Sequence, residues 1–233
     1  MSRSLEEGAV RVVAGYRAVH PFRFSTCVET VEPWGNFACD AEGLLEVIET
    51  APPSCIVCHM QTWLLRSSHT TEECSNDFAD WVAYQIGDAV LASRLNDVDP
   101  FAYADIEELR RILLSVMADH LSRHAEVRRR PSCRPFEPFC SDVTVRDLHR
   151  EAWTMDEFRD ALRVIDSGSV FLHTCRARVL NDDRGDDFVH WLGDEEGLGL
   201  PVLAEQLVWE GKLPLSLEQR RRRILHLCDQ AKE

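Results

Sequence analysis

At 233 residues, with 45% hydrophobic and 28% charged positions, the chain can bury a packed core, as one large domain or two of about 100 residues each. A formal net charge of −14 repels nucleic-acid phosphates and anionic lipid, no apolar run is long enough to span a bilayer, and the N-terminus lacks the apolar stretch of a signal peptide. The expectation is a cytoplasmic protein that binds neither nucleic acid nor membrane, with its nine cysteines kept as reduced, mostly buried thiols.

In chain order, residues 1–20 read as an N-terminal extension. "FRFSTCVETV" at 22–31 alternates apolar and polar residues with β-branched types, which predicts a strand. "DAEGLLEVIET" at 40–50 offers Asp40 as N-cap, with Leu44, Leu45, Val47 and Ile48 at helical spacing. Pro52 and Pro53 stop that helix. "SCIVCHM" at 54–60 is short and nearly all apolar, and reads as a buried strand, so that strand, helix and strand suggest a parallel right-handed crossover. After a polar loop at 66–75 come "NDFADWVAYQI", "DAVLASRLNDV" and "DIEELRRILLSVMADHL". The last places Ile106, Leu109, Ile112, Leu113, Val116 and Met117 on one stripe, the clearest helix in the chain. The segment 123–137, rich in Arg and Pro, reads as a linker. Of the basic clusters, Arg128–Arg130 falls in that linker and Arg220–Arg223 reads as a solvated helix face.

The second half then rewrites the first. A shift of 114 positions aligns Phe24 to Met60 with Pro138 to Thr174 without a gap, setting His59 on His173. Asp77, Phe78 and Trp81 of "SNDFADWV" fall on Asp187, Phe188 and Trp191 of "GDDFVHWL". The predicted fold is a helix-rich α/β protein of two tandem β-α-β-α-α-α repeats, 21–122 and 138–233, related by a pseudo-twofold and sharing a small sheet or core. Gly193, Gly197, Gly199 and Pro201 cut short the helix after Trp191, so if only one half keeps a site the first is the better candidate.

Three constellations could carry chemistry. Asp77 and Asp187 suit the first turn of a helix, with Asn76 or Asp77 as cap and Phe78 and Trp81 packing on one face; the functional alternative makes the carboxylates part of a site. His59 and His173, each at a predicted strand end and followed by Asp77 or Asp187, could form His–Asp pairs. Such a pair serves either a structural tie or general-base and metal chemistry. Cys55 and Cys58 with His59 are a weak metal candidate, because residues three apart on a strand face opposite ways and the second half has Ser169 and Leu172 there. Trp63 is an interface or ligand-stacking candidate beside Phe78, Trp81, Phe188 and Trp191, with a core tryptophan as the favoured alternative. No phosphate-binding, dinucleotide, serine-hydrolase or zinc-protease motif occurs, and no cofactor is expected.

The openings "PFRFSTCVE", "SNDFADWV", "EELRRILLSV" and "DDFVHWL", in this order and doubled, resemble an uncharacterised bacterial and archaeal family, domain of unknown function 5752, from Phe22 onward. The resemblance implies a two-copy architecture and supplies no activity, cofactor or catalytic residue. Two functions follow from the residues. One is a non-catalytic cytoplasmic protein–protein interaction or regulatory module with a protein partner. The alternative is an enzyme or small-ligand binder using the paired His59/Asp77 and His173/Asp187 sites.

Overall fold

The computed structural model describes residues 16–66, 75–103, 105–181, 185–210 and 215–231, with the backbone alone at 209 and 210. Most of the N-terminal extension, most of the expected loop at 66–75 and Cys74 lie outside the described residues. The chain is helix-rich α/β and, among the described residues, has one small antiparallel sheet of two strands, β1 (Phe22–Pro33) and β2 (Phe139–Ala152). None of the described helices is long and apolar enough to cross a membrane.

Contacts divide the chain into two compact units that are not contiguous in sequence. The first comprises 27–145 with 178–184, and the second 1–26, 146–177 and 185–233. Each strand therefore changes unit partway along, so the beginning of β1 belongs with the later helices and the beginning of β2 with the earlier ones.

In the first unit, α1 (Ala41–Thr50) starts where Asp40 Oδ1 accepts the Gly43 N–H at 2.8 Å and buries Ala41, Leu44, Val47 and Ile48. The proline pair ends it and also starts the next element. α2 (Pro53–Met60) occupies the stretch expected to be a strand, with Pro53 in the first turn, where its missing N–H costs nothing. Cys55, Ile56, Cys58 and Met60 are fully buried, and burial on all sides erases the periodicity that separates helix from strand. The predicted parallel crossover is absent because its second strand is this helix. A 3₁₀ turn (Thr62–Leu65) leads on, and α3 (Asp77–Trp81) begins at Asn76, whose side chain accepts the Ala79 N–H at 2.8 Å. α3 runs into a π-helical turn that ends at Gly87 with φ +74°, a left-handed conformation glycine adopts without strain. α4 (Ala89–Asn96) and α5 (Ile106–Arg123) complete the core, with Leu109, Leu113 and Met117 of α5 fully buried. A single turn, α6 (Ala125–Arg128), follows. The buried Arg110 donates to the Ile48 carbonyl, satisfying the open C-terminal end of α1.

In the second unit, Thr154 caps α7 (Met155–Val164) and Asp166 caps α8 (Ser167–Val170). "GSVFLHT" is helical too: α8 passes through a π-helical turn (Phe171–Arg176) into α9 (Ala177–Leu180), whose residues after Ala177 are assigned to the first unit, correcting the second predicted buried strand for the same reason as the first. α10 (Asp187–Gly193) is short. It closes at the glycine-rich segment, where Leu198 N–H returns to Trp191 O at 3.0 Å and Gly199 takes φ +63°. α11 (Pro201–Glu210) and α12 (Leu217–Gln230) end the chain. Phe22 and Phe24 of β1 sit in an aromatic cluster with Phe158, Phe188 and Trp191.

Candidate functional site

His59 lies in the last turn of α2 and Asp77 opens α3. The His59 Nδ1 to Asp77 Oδ2 distance is 2.8 Å. The other ring nitrogen, Nε2, accepts the backbone N–H of Phe139 at the start of β2, at 2.9 Å. An amide can only donate, so Nε2 must offer its lone pair, which places the imidazole proton on Nδ1 and makes that nitrogen the donor to Asp77. The ring is thus neutral and occupied at both ends. It is 3% exposed and surrounded by Phe136 (4.8 Å between ring centres) and Phe78 (5.4 Å).

The same arrangement recurs in the second unit. His173 Nδ1 meets Asp187 Oδ2 at 2.8 Å, and His173 Nε2 accepts the Ser25 N–H of β1 at 2.9 Å. Phe22 and Phe188 flank this ring. The tryptophans repeat as well: Trp81 Nε1 donates to Arg134 O and Trp191 Nε1 to His20 O, both at 2.9 Å. Ser25 and Phe139, His20 and Arg134, and Phe22 and Phe136 are each separated by the 114 positions that align the sequence with itself. His59 therefore sits in the last turn of α2 and His173 within the π-helical turn between α8 and α9; both hold strand beginnings, and neither ends a buried strand, where both were expected. Thr26 Oγ1 adds a further tie from β1, donating to Asp166 at 2.6 Å.

Around Asp77 the first unit carries a polar cluster. Arg66 pairs with Asp77, donates to the Cys58 thiol and carbonyl at 3.0 Å each, and stands 3.5 Å from Glu29. Thr62 Oγ1 donates to Glu29 and lies 3.2 Å from Ser141 Oγ. Burial opposes the charge on Arg66, but Asp77, Cys58 and Glu29 outweigh it and hold the guanidinium more firmly protonated than usual. Burial pushes the Cys58 thiol up to about 11 despite Arg66, and the Cys55 thiol up to about 12, aided by Cys140 and Cys58. Both stay protonated at neutral pH and are poor ligands or nucleophiles in that state.

On helix α2, Cys55 and Cys58 share a face, the reverse of the strand expectation. Among the described residues no group of three or more His, Cys, Asp or Glu side chains could hold a metal ion. Phe78 and Phe188 are fully buried and Trp81 and Trp191 nearly so, while Trp63 is half-buried.

A third pair escaped the sequence reading. His120 Nε2 lies 3.0 Å from Asp88 Oδ2, and Asp88 also accepts the Val90 and Leu91 amides that start α4. Burial works to raise the Asp88 pKa, but those amides and His120 outweigh it and hold the carboxyl below its ordinary value. The signal was present: His120 stands three residues after Met117 on the apolar stripe of α5, and a histidine there needs a buried partner.

No curated protein matches the chain. Among solved structures, OrfY from Thermoproteus tenax is similar at a TM-score of 0.71 and 27% identity, over 92% of this chain and 97% of that one. The sequence pattern of a family of unknown function, DUF5752, matches residues 19–229. The chain belongs to the DUF5752 family.

Proposed function

We propose that the chain is a non-catalytic protein–protein interaction or regulatory module whose contact surface is the β1–β2 ribbon. One observation carries the reading. In the first unit Val28, Val31 and Val145 stand 45%, 38% and 56% exposed on the two strands, while a two-stranded sheet has only outer edges to offer. Exposed branched side chains on strands of 12 and 14 residues suit addition of an extended segment from a protein partner. The enclosed histidines support the non-catalytic half of the reading, because neither ring nitrogen of His59 or His173 is available to take a substrate proton.

The finer architecture belongs to the same proposal: two copies, at 21–122 and 138–233 with 123–137 between, related by a pseudo-twofold and meeting in the small sheet. The contacts repeated at the 114-position offset support it. The setting proposed is the cytoplasm, with a protein partner and no nucleic acid.

The alternative, a small-ligand binder or enzyme, draws on the Arg66–Asp77–Glu29 cluster, since Arg66 and Asp77 keep 26% and 19% of their side-chain surface open. Capture from host lysate separates the two. Tagged wild type should retain a stoichiometric protein partner that a Val31→Glu/Val145→Glu variant of unchanged Tm releases. Equal retention by both proteins, or no partner, would overturn the ribbon reading and leave the alternative.

A further inference from the structure

We propose that Cys39 and Cys133 form a redox-modification site, joined in an intramolecular disulfide by a small-molecule disulfide of the glutathione type. Among the described cysteines these two are the exposed ones. They lie on segments already held together within the first unit. Ser132 N–H donates to the carbonyl of Cys39 itself at 2.8 Å, and Ala38 and Phe136 exchange both backbone hydrogen bonds at 3.1 and 2.7 Å. Arg128 grips both oxygens of Glu42 at 2.8 and 2.7 Å, and Arg129 lies 3.7 Å from Asp40. Cys133 is thus bracketed between Ser132 and Phe136, which are tied to Cys39 and Ala38.

One hydrogen bond and one peptide unit separate the two residues, which limits their Cα atoms to at most about 10 Å apart by standard bond lengths. A disulfide needs roughly 4.4–6.8 Å between Cα atoms. Both residues are exposed, and the Cys133 backbone is also held where its N–H donates to the Gln85 carbonyl at 3.1 Å.

The chemistry balances as two exchanges. The thiolate of one cysteine attacks a sulfur of the small disulfide, breaking its S–S bond and releasing one small thiol. The second cysteine then attacks the mixed disulfide and releases the other. Two protein thiols lose two hydrogens and become one S–S bond, while the oxidant is reduced to two thiols. The new bond closes a loop of over ninety residues, which restricts the unfolded chain and raises stability. It also clamps the segment that delivers Phe136 and Phe139 to His59.

The test is to incubate the full-length protein with oxidised glutathione, then measure intact mass, map unreduced peptides and melt the product. The expected result is loss of two hydrogens, one linked pair joining the Cys39 and Cys133 peptides, and a Tm several degrees higher. Cys39→Ser should instead keep one glutathione adduct on Cys133 and the Tm of the reduced protein. Separate adducts on both cysteines, no reaction at all, or a bond mapped elsewhere, such as Cys55 to Cys140, would each overturn the proposal.

Discussion

His59 and Phe139 are joined by a hydrogen bond of 2.9 Å in which a strand amide donates to a buried imidazole. Its counterpart joins His173 to Ser25 at the same length. Each ring is a connector: one nitrogen holds the carboxylate at a helix start, the other holds the first residues of a strand, and phenylalanines seal the junction. A repeated His–Asp pair looks like catalytic machinery in the sequence, yet here its hydrogen-bonding capacity is consumed by the fold.

Removing a connector should therefore cost stability. His59→Ala or His173→Ala leaves a buried amide without an acceptor and a cavity behind it, and each should lose about 2–4 kcal/mol in urea unfolding. A loss below about 0.5 kcal/mol for either would contradict the anchoring role.

The aromatic seal can be tested beside an exposed control. Phe136 is 5% exposed and meets the rings of His59, Phe78 and Trp81, while Phe37 nearby is 60% exposed. Phe136→Ala should cost about 3–5 kcal/mol and Phe37→Ala less than about 0.5 kcal/mol. Equal effects would show that Phe136 is not a core residue.

The two halves should differ in pH dependence at one matched position. Asn76 caps α3, and Asp186 caps α10 through the Val189 amide at 2.7 Å. Burial pushes the Asp186 carboxyl up to about 6, with Asp187 reinforcing it and the Val189 amide, Arg220 and His190 opposing it. A carboxyl whose folded pKa lies above its unfolded value of 3.8 favours the fold while protonated. That contribution is complete below about pH 4 and is lost as pH rises through about 6. Asp186→Asn should leave stability unchanged near pH 4 and raise it by about 1–3 kcal/mol at pH 7.5. A gain of equal size at both pH values, or none at pH 7.5, would contradict the assignment.

Thiol labelling should follow burial. With the Cys58 and Cys55 thiols at about 11 and 12, a brief maleimide pulse at pH 7 should leave both unlabelled in the native protein and mark Cys39 and Cys133. Labelling of Cys55 or Cys58 at the rate of Cys39 would show that α2 opens readily.

How far the sequence could be read depended on whether a residue's partners lie close in the chain. β1, α1, the Asn76 cap and the stripe of α5 were legible because alternation, capping and helical spacing are local. α2 and the turn carrying His173 were not, since residues buried on all sides show no period and Pro53 signals a helix start as well as a stop. The pairing of His59 with Asp77 followed from their doubling. The third partner did not, because a backbone amide such as that of Phe139 leaves no mark in the sequence. For the same reason the Arg66 contacts to Cys58 and Glu29 and the Arg110 cap on α1 were invisible: each joins residues whose proximity only the fold creates.

The most direct test of the connector account is the tautomer of the two buried histidines. Long-range proton–nitrogen correlation on selectively labelled protein at pH 7.5 reports which ring nitrogen carries the proton. His59 and His173 should both carry it on Nδ1, with Nε2 unprotonated and accepting from the strand. A proton on Nε2 of either ring would break the bond to Phe139 or Ser25, and would return that histidine to the list of groups able to act on a substrate.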